Sequence, residues 1–92
     1  MTTNFWEYRT AFKRHVINGV EELEYGLVEA YYNDKGDLWL TTERFIEPSG
    51  ETREELIDNL EMLLKDAKKD APVLDLEKLW KELEMKELEN KL

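Results

Sequence analysis

Residues 49–60 read SGETREELIDNL, and this stretch decides the fold because it marks where extended chain gives way to helix. Thr52 stands where an N-cap is needed, with Glu55 three residues on, the spacing of a capping box. Glu54 and Glu55 also place negative charge at the positive end of a helix. Beyond them Leu56, Ile57, Leu60, Leu63, Leu64 and Ala67 recur at helical spacing and form one apolar stripe. Five large aliphatics on that stripe imply on the order of 10 kcal/mol of gross burial, before chain entropy is subtracted. The stripe is expected to lie on a sheet built from the residues that precede it.

Those residues read as strands. In FWEYRTAFKRHV, residues 5–16, the side chains of Trp6, Tyr8, Thr10, Phe12, Arg14 and Val16 fall on one face, and Glu7, Arg9, Lys13 and His15 on the other. Asn18-Gly19 is a hairpin dipeptide, because both residues tolerate positive φ. A second strand is expected over 23–33, with Leu23, Tyr25, Leu27 and Tyr31 alternating with Glu24, Gly26, Val28, Ala30 and Tyr32. Apolar groups on both of its faces suit a central strand. After the turn Asp34-Lys35-Gly36-Asp37 a third strand is expected over 38–47, and Pro48, which has no N–H to donate, closes the sheet.

Past the first helix, Ala71-Pro72 is a break and Asp75 a second cap. Leu76, Leu79, Trp80 and Leu83 make a two-turn apolar patch. Met85, Leu88 and Leu92 then shift to another line, with Glu87 interrupting the first. The terminal helix should therefore dock through Trp80 and fray beyond about residue 85, or offer its apolar side to another chain. The fold expected is α+β: a three-stranded antiparallel β-meander with a helix packed on one face and a C-terminal amphipathic helix, β-β-β-α-α. Residues 1–74 form the core domain, and residues 75–92 are a helix belonging to the same domain or serving as an interaction arm.

Composition bounds the function. The 92 residues are 41% hydrophobic and 11% aromatic, enough for one thin core. The formal charge of −9 is spread along the chain and not gathered in a tail. Such a chain is repelled by nucleic-acid phosphates and anionic lipid and attracted to basic protein surfaces. No cysteine is present, so disulfides and thiol chemistry are excluded. The opening MTTNFWEYRT lacks the basic and apolar regions of a signal peptide, and no apolar run approaches the ~20 residues that cross a bilayer. The expected location is the cytoplasm.

Chemistry is sparse. His15 is the only histidine, and it lies on a strand's polar face beside Lys13 and Arg14. Glycines stand singly, so there is neither a phosphate-cradling loop nor a dinucleotide fingerprint. Glu24, Glu29, Glu43 and Glu47 lack the loop spacing of a known cation site, and a solvated acidic face is expected. Arg9, Lys13 and His15 are expected to pair with carboxylates on neighbouring strands. No catalytic residue, cofactor or metal is expected, and the reading is not that of an enzyme. The surplus lies instead in aromatics: Tyr25, Tyr31, Tyr32, Trp39 and Phe45 exceed what one helix covers. The candidate protein-contact residues are Tyr25, Trp39 and Phe45 on the open sheet face, with Trp80 and Leu83 on the terminal helix.

The segment PSGETREELIDNLEMLLKDAKK resembles the one that ends the sheet and opens the helix in HicB-like antitoxin domains, small β-β-β-α folds related to a truncated ribonuclease H fold. Gly50, Glu51, Thr52, Glu54, Glu55, Asn59, Leu60 and Leu64 carry the resemblance, which extends in strand order over about residues 5–70. It implies a protein that sequesters a small, basic, RNA-cleaving toxin by direct contact, usually as a dimer or larger assembly. Antitoxins of that family often add a helix-turn-helix or ribbon-helix-helix segment. Here LDLEKLWKELEMKELENKL is a single acidic amphipathic helix, so operator binding is not expected. The layout E-YY-D-KG and P-GET is also similar to that of small bacterial and phage proteins. The expected role is thus a non-enzymatic protein-binding module, antitoxin-like or an inhibitor of a basic partner, with a homodimer as a second association. The alternatives are an acidic DNA mimic that blocks a nucleic-acid-binding enzyme, and a small structural dimer.

Overall fold

A computed structural model describes residues 5–90. Its strands are β1 (Phe5–Ile17), β2 (Val20–Tyr32), β3 (Leu38–Thr41) and β4 (Leu74–Asp75), and its helices are α1 (Arg53–Ala67) and α2 (Leu76–Asn90). The protein is α+β, a four-stranded mixed sheet in the order β3-β2-β1-β4 with two helices, β-β-β-α-β-α. β1 pairs antiparallel with β2 and β2 with β3, while β4 runs parallel to β1.

β1 and β2 have 13 residues each, about twice the usual strand length. Their ladder is continuous from Phe5↔Tyr32 to Ile17↔Val20. Asn18, at φ 51°, and Gly19, at φ 78°, supply the two positive-φ residues of a two-residue hairpin turn. The neighbouring strands cover only part of this hairpin. β3 pairs with Ala30–Tyr32 and β4 with Ala11–Phe12. Beyond Phe12 and Tyr25 the hairpin continues as a two-stranded arm.

Opposed residues share a face, so Ala11, Val28, Ala30, Tyr32 and Thr41 lie together. The core forms on this face: Ala11, Val28 and Leu76 are completely buried, with Phe45, Leu74 and Trp80 packed against them. α2 therefore docks on the side that β1 decorates with Glu7, Arg9 and Lys13. The small Ala11 lets Leu76 approach, and Gly26 does the same for Phe45, since a Cβ at Gly26 would overlap the Phe45 ring.

The connection from β3 to β4 joins parallel strands at opposite edges of the sheet, and α1 lies within it. Thr52 caps α1 as expected, its Oγ1 accepting from Glu55 N–H at 3.1 Å. Glu55 Oε2 reaches back to Glu51 N–H at 2.9 Å, and Asn59 Oδ1 accepts from Ser49 N–H at 3.1 Å. α1 contacts β1, and the Asp66 carboxylate acts on Tyr8, which points away from the α2 side.

Four sequence expectations need correction. β3 ends at Thr41 and not at 47, because Phe45 turns inward over Gly26; only Thr42 and Ile46 keep β2 as a backbone partner. Residues 74–75 add a fourth, parallel strand ahead of the second helix. The α1 stripe does not lie flat on the sheet: Leu63 is buried and Leu56 half-buried, while Ile57, Leu60 and Leu64 are exposed. α2 runs to Asn90 and does not end near 85, since its Glu, Lys, Leu and Met residues favour helix even where they are exposed.

Candidate functional site

Trp39, Trp80 and Leu83, three of the five expected contact residues, line one cleft of about 780 Å³ between β3 and α2. Each is placed by local chemistry. Trp39 lies where the β2–β3 register shifts opposite Tyr31 and Tyr32, and its indole is about half exposed. Trp80 is one helical turn after the buried Leu76, and its Nε1–H donates to the buried Thr41 hydroxyl at 2.7 Å. Leu83 follows three residues on and is half-buried. Leu40 adds apolar wall, and β3 is the outer strand of the sheet, so the cleft adjoins an open edge.

The rim is acidic. Asp37, Glu43, Glu84 and Glu87 border the cleft, with Lys86 the sole cation among its lining residues. An apolar floor with two indoles and a negative rim suits a protein segment that brings both a hydrophobic anchor and positive charge.

The other two contact residues lie elsewhere. Phe45 is packed against the core, where Lys13 Nζ sits 4.7 Å from its ring centroid, and it is not part of an open aromatic surface. Tyr25 is exposed on the arm, stacked obliquely on Phe12 with centroids 5.7 Å apart. Trp6, unassigned from the sequence, joins Tyr8 and Tyr31 in an aromatic cluster on the same sheet face as Tyr25. The strand alternation had put Trp6 with Tyr8 and Tyr25 with Tyr31, and the β1–β2 register brings the two sets to one face.

The basic side chains of β1 are engaged within the chain, though of Arg9, Lys13 and His15 only His15 has a carboxylate partner on a neighbouring strand among the described residues. Arg9 donates to the Tyr32 hydroxyl at 2.9 Å and to the Pro72 carbonyl at 2.7 Å. His15 Nε2 and Glu24 Oε1 lie 2.9 Å apart. Arg14 pairs with Glu21 at 3.1 Å and with Asp75. Asp75 also accepts from Lys78 N–H at 3.4 Å, at the capping position read from the sequence. A hollow of about 600 Å³ beside this cluster is lined by groups of both signs, including Arg14, Asp75, Glu77 and Lys81.

A second polar cluster ties the α1–β4 connection to β1. Lys69 Nζ lies 3.2 Å from both Glu7 and Asp66. Burial alone would raise the Glu7 pKa, but hydrogen bonds from Tyr32 and Lys69, with the charges of Lys69 and Arg9, bring it below the ordinary carboxylate value. Lys69 is partly desolvated, which opposes its charge, yet Glu7 and Asp66 push its pKa up. Tyr32 is raised by burial and by its bond to Glu7, against the opposing effect of Arg9. Tyr31 is raised by the hydrogen bond it donates to Glu29, at 2.8 Å.

Glu24 and Glu29 fall on opposite faces of β2 and engage different partners, and among the described residues no three His, Cys, Asp or Glu side chains are grouped to hold a metal ion. No described helix is long and apolar enough to cross a membrane. No protein-family model matches this chain, and no curated protein or solved structure matches it either.

Proposed function

We propose that the protein is a non-enzymatic binding module that takes a basic partner protein in the cleft between β3 and α2, in an antitoxin-like or inhibitory role. The observation that carries this reading is the convergence of Trp39, Trp80 and Leu83 on one acid-rimmed cleft. Tryptophan is the residue most often found at the energetic centre of protein interfaces. Carboxylates around it steer a basic partner and reject an acidic one. The resemblance to HicB-like antitoxin domains suggests the type of partner, a small basic protein. Apolar anchors at the centre of the cleft favour this mode over mimicry of DNA, which needs rows of carboxylates.

The test is a titration with an amphipathic Lys/Leu/Trp peptide, with a Glu/Leu/Trp peptide of equal length as control, followed by calorimetry. The basic peptide should bind, and Trp39→Ala should weaken it about tenfold, the loss of one good interface anchor. Added salt should weaken binding by a modest factor without abolishing it, because the apolar part is not screened. Equal affinity for the two peptides, or no effect of Trp39→Ala, would refute the assignment of this cleft.

A further inference from the structure

The cleft leaves an exposed apolar surface on the long hairpin unexplained. Residues 13–25 form the arm beyond β3 and β4. Val16 is 74% exposed, Tyr25 61% and Leu23 44%. A lone two-stranded hairpin is at best marginally stable in water, yet this one keeps an unbroken ladder to its turn. On the face it shares with Phe12, the arm carries Val16, Leu23 and Tyr25. The arm's charged groups on that face are Arg14 and Glu21, 3.1 Å apart, with Asp75 of β4 also paired to Arg14.

Size argues that something covers this surface. The chain exposes 7437 Å², whereas a compact monomer of 11.0 kDa exposes about 5600 Å². The surplus of about 1800 Å² belongs to the whole chain, the exposed sides of α1 and α2 included, and the arm supplies part of it. The radius of gyration of 15.6 Å likewise exceeds the roughly 12 Å of a compact domain of this length.

Charge argues for which partner. The arm holds Lys13 and Arg14 against Glu21, Glu22 and Glu24, so it is nearly neutral while the chain as a whole carries −9. Two copies of so acidic a protein repel least where their arms meet, and a basic partner finds little there to attract it. We infer that the occupant is a second copy of this chain. The arms pack face to face about a two-fold axis, with Val16, Leu23 and Tyr25 of each copy against the same residues of the other, an isologous contact. This does not rest on the cleft reading, because the two surfaces share no residue.

Sedimentation equilibrium of the full chain over a wide concentration range tests the inference. The protein should be a dimer that persists in high salt. Leu23→Arg should weaken it by about 30-fold or more, as expected for a charge in an apolar interface centre, with an unchanged circular dichroism spectrum. If that variant fails to fold, cysteine cross-linking decides, which is clean because the chain has no cysteine. Leu23→Cys should give a covalent dimer on oxidation, and Met85→Cys, on the exposed end of α2, should not. A monomer at every concentration, or cross-linking through Met85 and not Leu23, would overturn the inference. Trp39→Ala should leave the dimer intact and Leu23→Arg should leave peptide binding intact, so either reading can fail alone.

Discussion

The two ends of the long hairpin are built from similar residues and meet different fates. At the end near Ala11 and Val28, small side chains let Leu76, Trp80 and Phe45 close over the sheet, and water is excluded. At the end near Val16 and Leu23, larger apolar side chains stand in solvent. Hydrophobicity along the strands does not distinguish the two, since both ends carry large apolar side chains on the Phe12 face, Trp6, Leu27 and Tyr31 at one and Val16, Leu23 and Tyr25 at the other. What differs is the cover: β4 pairs only as far as Phe12, and α2 reaches Arg14, whose backbone N–H donates to Glu77 Oε1 at 2.9 Å. Burial in this protein is decided by where the later elements land.

The strongest way to break the comparison is to remove matter from each end in turn. Leu76→Ala deletes a completely buried side chain and should cost about 2–5 kcal/mol in chemical denaturation. Val16→Ala should change stability by less than about 0.5 kcal/mol under conditions that keep the chain monomeric. Equal effects at the two sites would mean that the arm is covered as thoroughly as the core.

Gly26→Ala probes the boundary between the ends. The added methyl would displace Phe45 from its place over the sheet, and the overpacking should cost about 1–3 kcal/mol. If Phe45 is expelled, it should leave the rest of β2 in register, which amide exchange at Val28 and Ala30 would show as retained protection. Loss of protection across the whole of β2 would instead mean that Phe45 holds the covered end together.

Much of this was legible in the sequence, and the reason differs by element. The period-2 alternation of 5–16, the Asn18-Gly19 turn and the Thr52–Glu55 cap are local signals, and each appears where it was read. β4 was not legible, since two residues of Val-Leu-Asp carry no pattern and their pairing depends on β1. Nor was the choice of core face. Trp6, Tyr8, Phe12 and Val16 look like the buried side, yet the helix α2 selects the opposite face, because Ala11, Gly26 and Ala30 leave room for it. In α1 the apolar stripe is wider than the contact, so Leu63 is buried while Leu60 is not. At the cleft, Trp39 was recognisable as a surplus aromatic and Trp80 as part of the apolar patch of the second helix. Their meeting depends on Thr41, which the sequence does not single out.

Two local contacts at the covered end should give smaller effects. Thr41→Val removes the acceptor of the Trp80 indole N–H and should cost about 1–3 kcal/mol, the range for a partly buried donor left without a partner. Trp80 should then move, so the same variant should shift tryptophan emission and weaken peptide binding in the cleft. Thr52→Ala removes the cap of α1 and should cost about 1 kcal/mol while leaving Trp80 emission unchanged. A shift in emission from the cap variant would show that α1 and the cleft are coupled.

The smallest expected effect concerns pH, at the cluster that fastens the connection between α1 and β4. Glu7 has a folded pKa below its ordinary value, so its contribution is present above the ordinary carboxylate range and disappears as pH falls through the folded value. Lys69 has a raised pKa, so its contribution is present below the ordinary lysine value and disappears as pH rises through the folded value. Between those limits the pair should be constant. Both groups are about one-third exposed, which keeps the stabilisation to a few tenths of a kcal/mol. Glu7→Gln should therefore leave the thermal midpoint near neutral pH almost unchanged and reduce its decline on acidification. It should also flatten the alkaline decline, since Lys69 would keep only Asp66 as a close carboxylate. Because the cluster positions the chain entering β4, and β4 is part of the cover, loss of this pair should raise amide exchange at Leu74 before Val28. Simultaneous exchange at both would mean that the parallel strand and the core open as one unit.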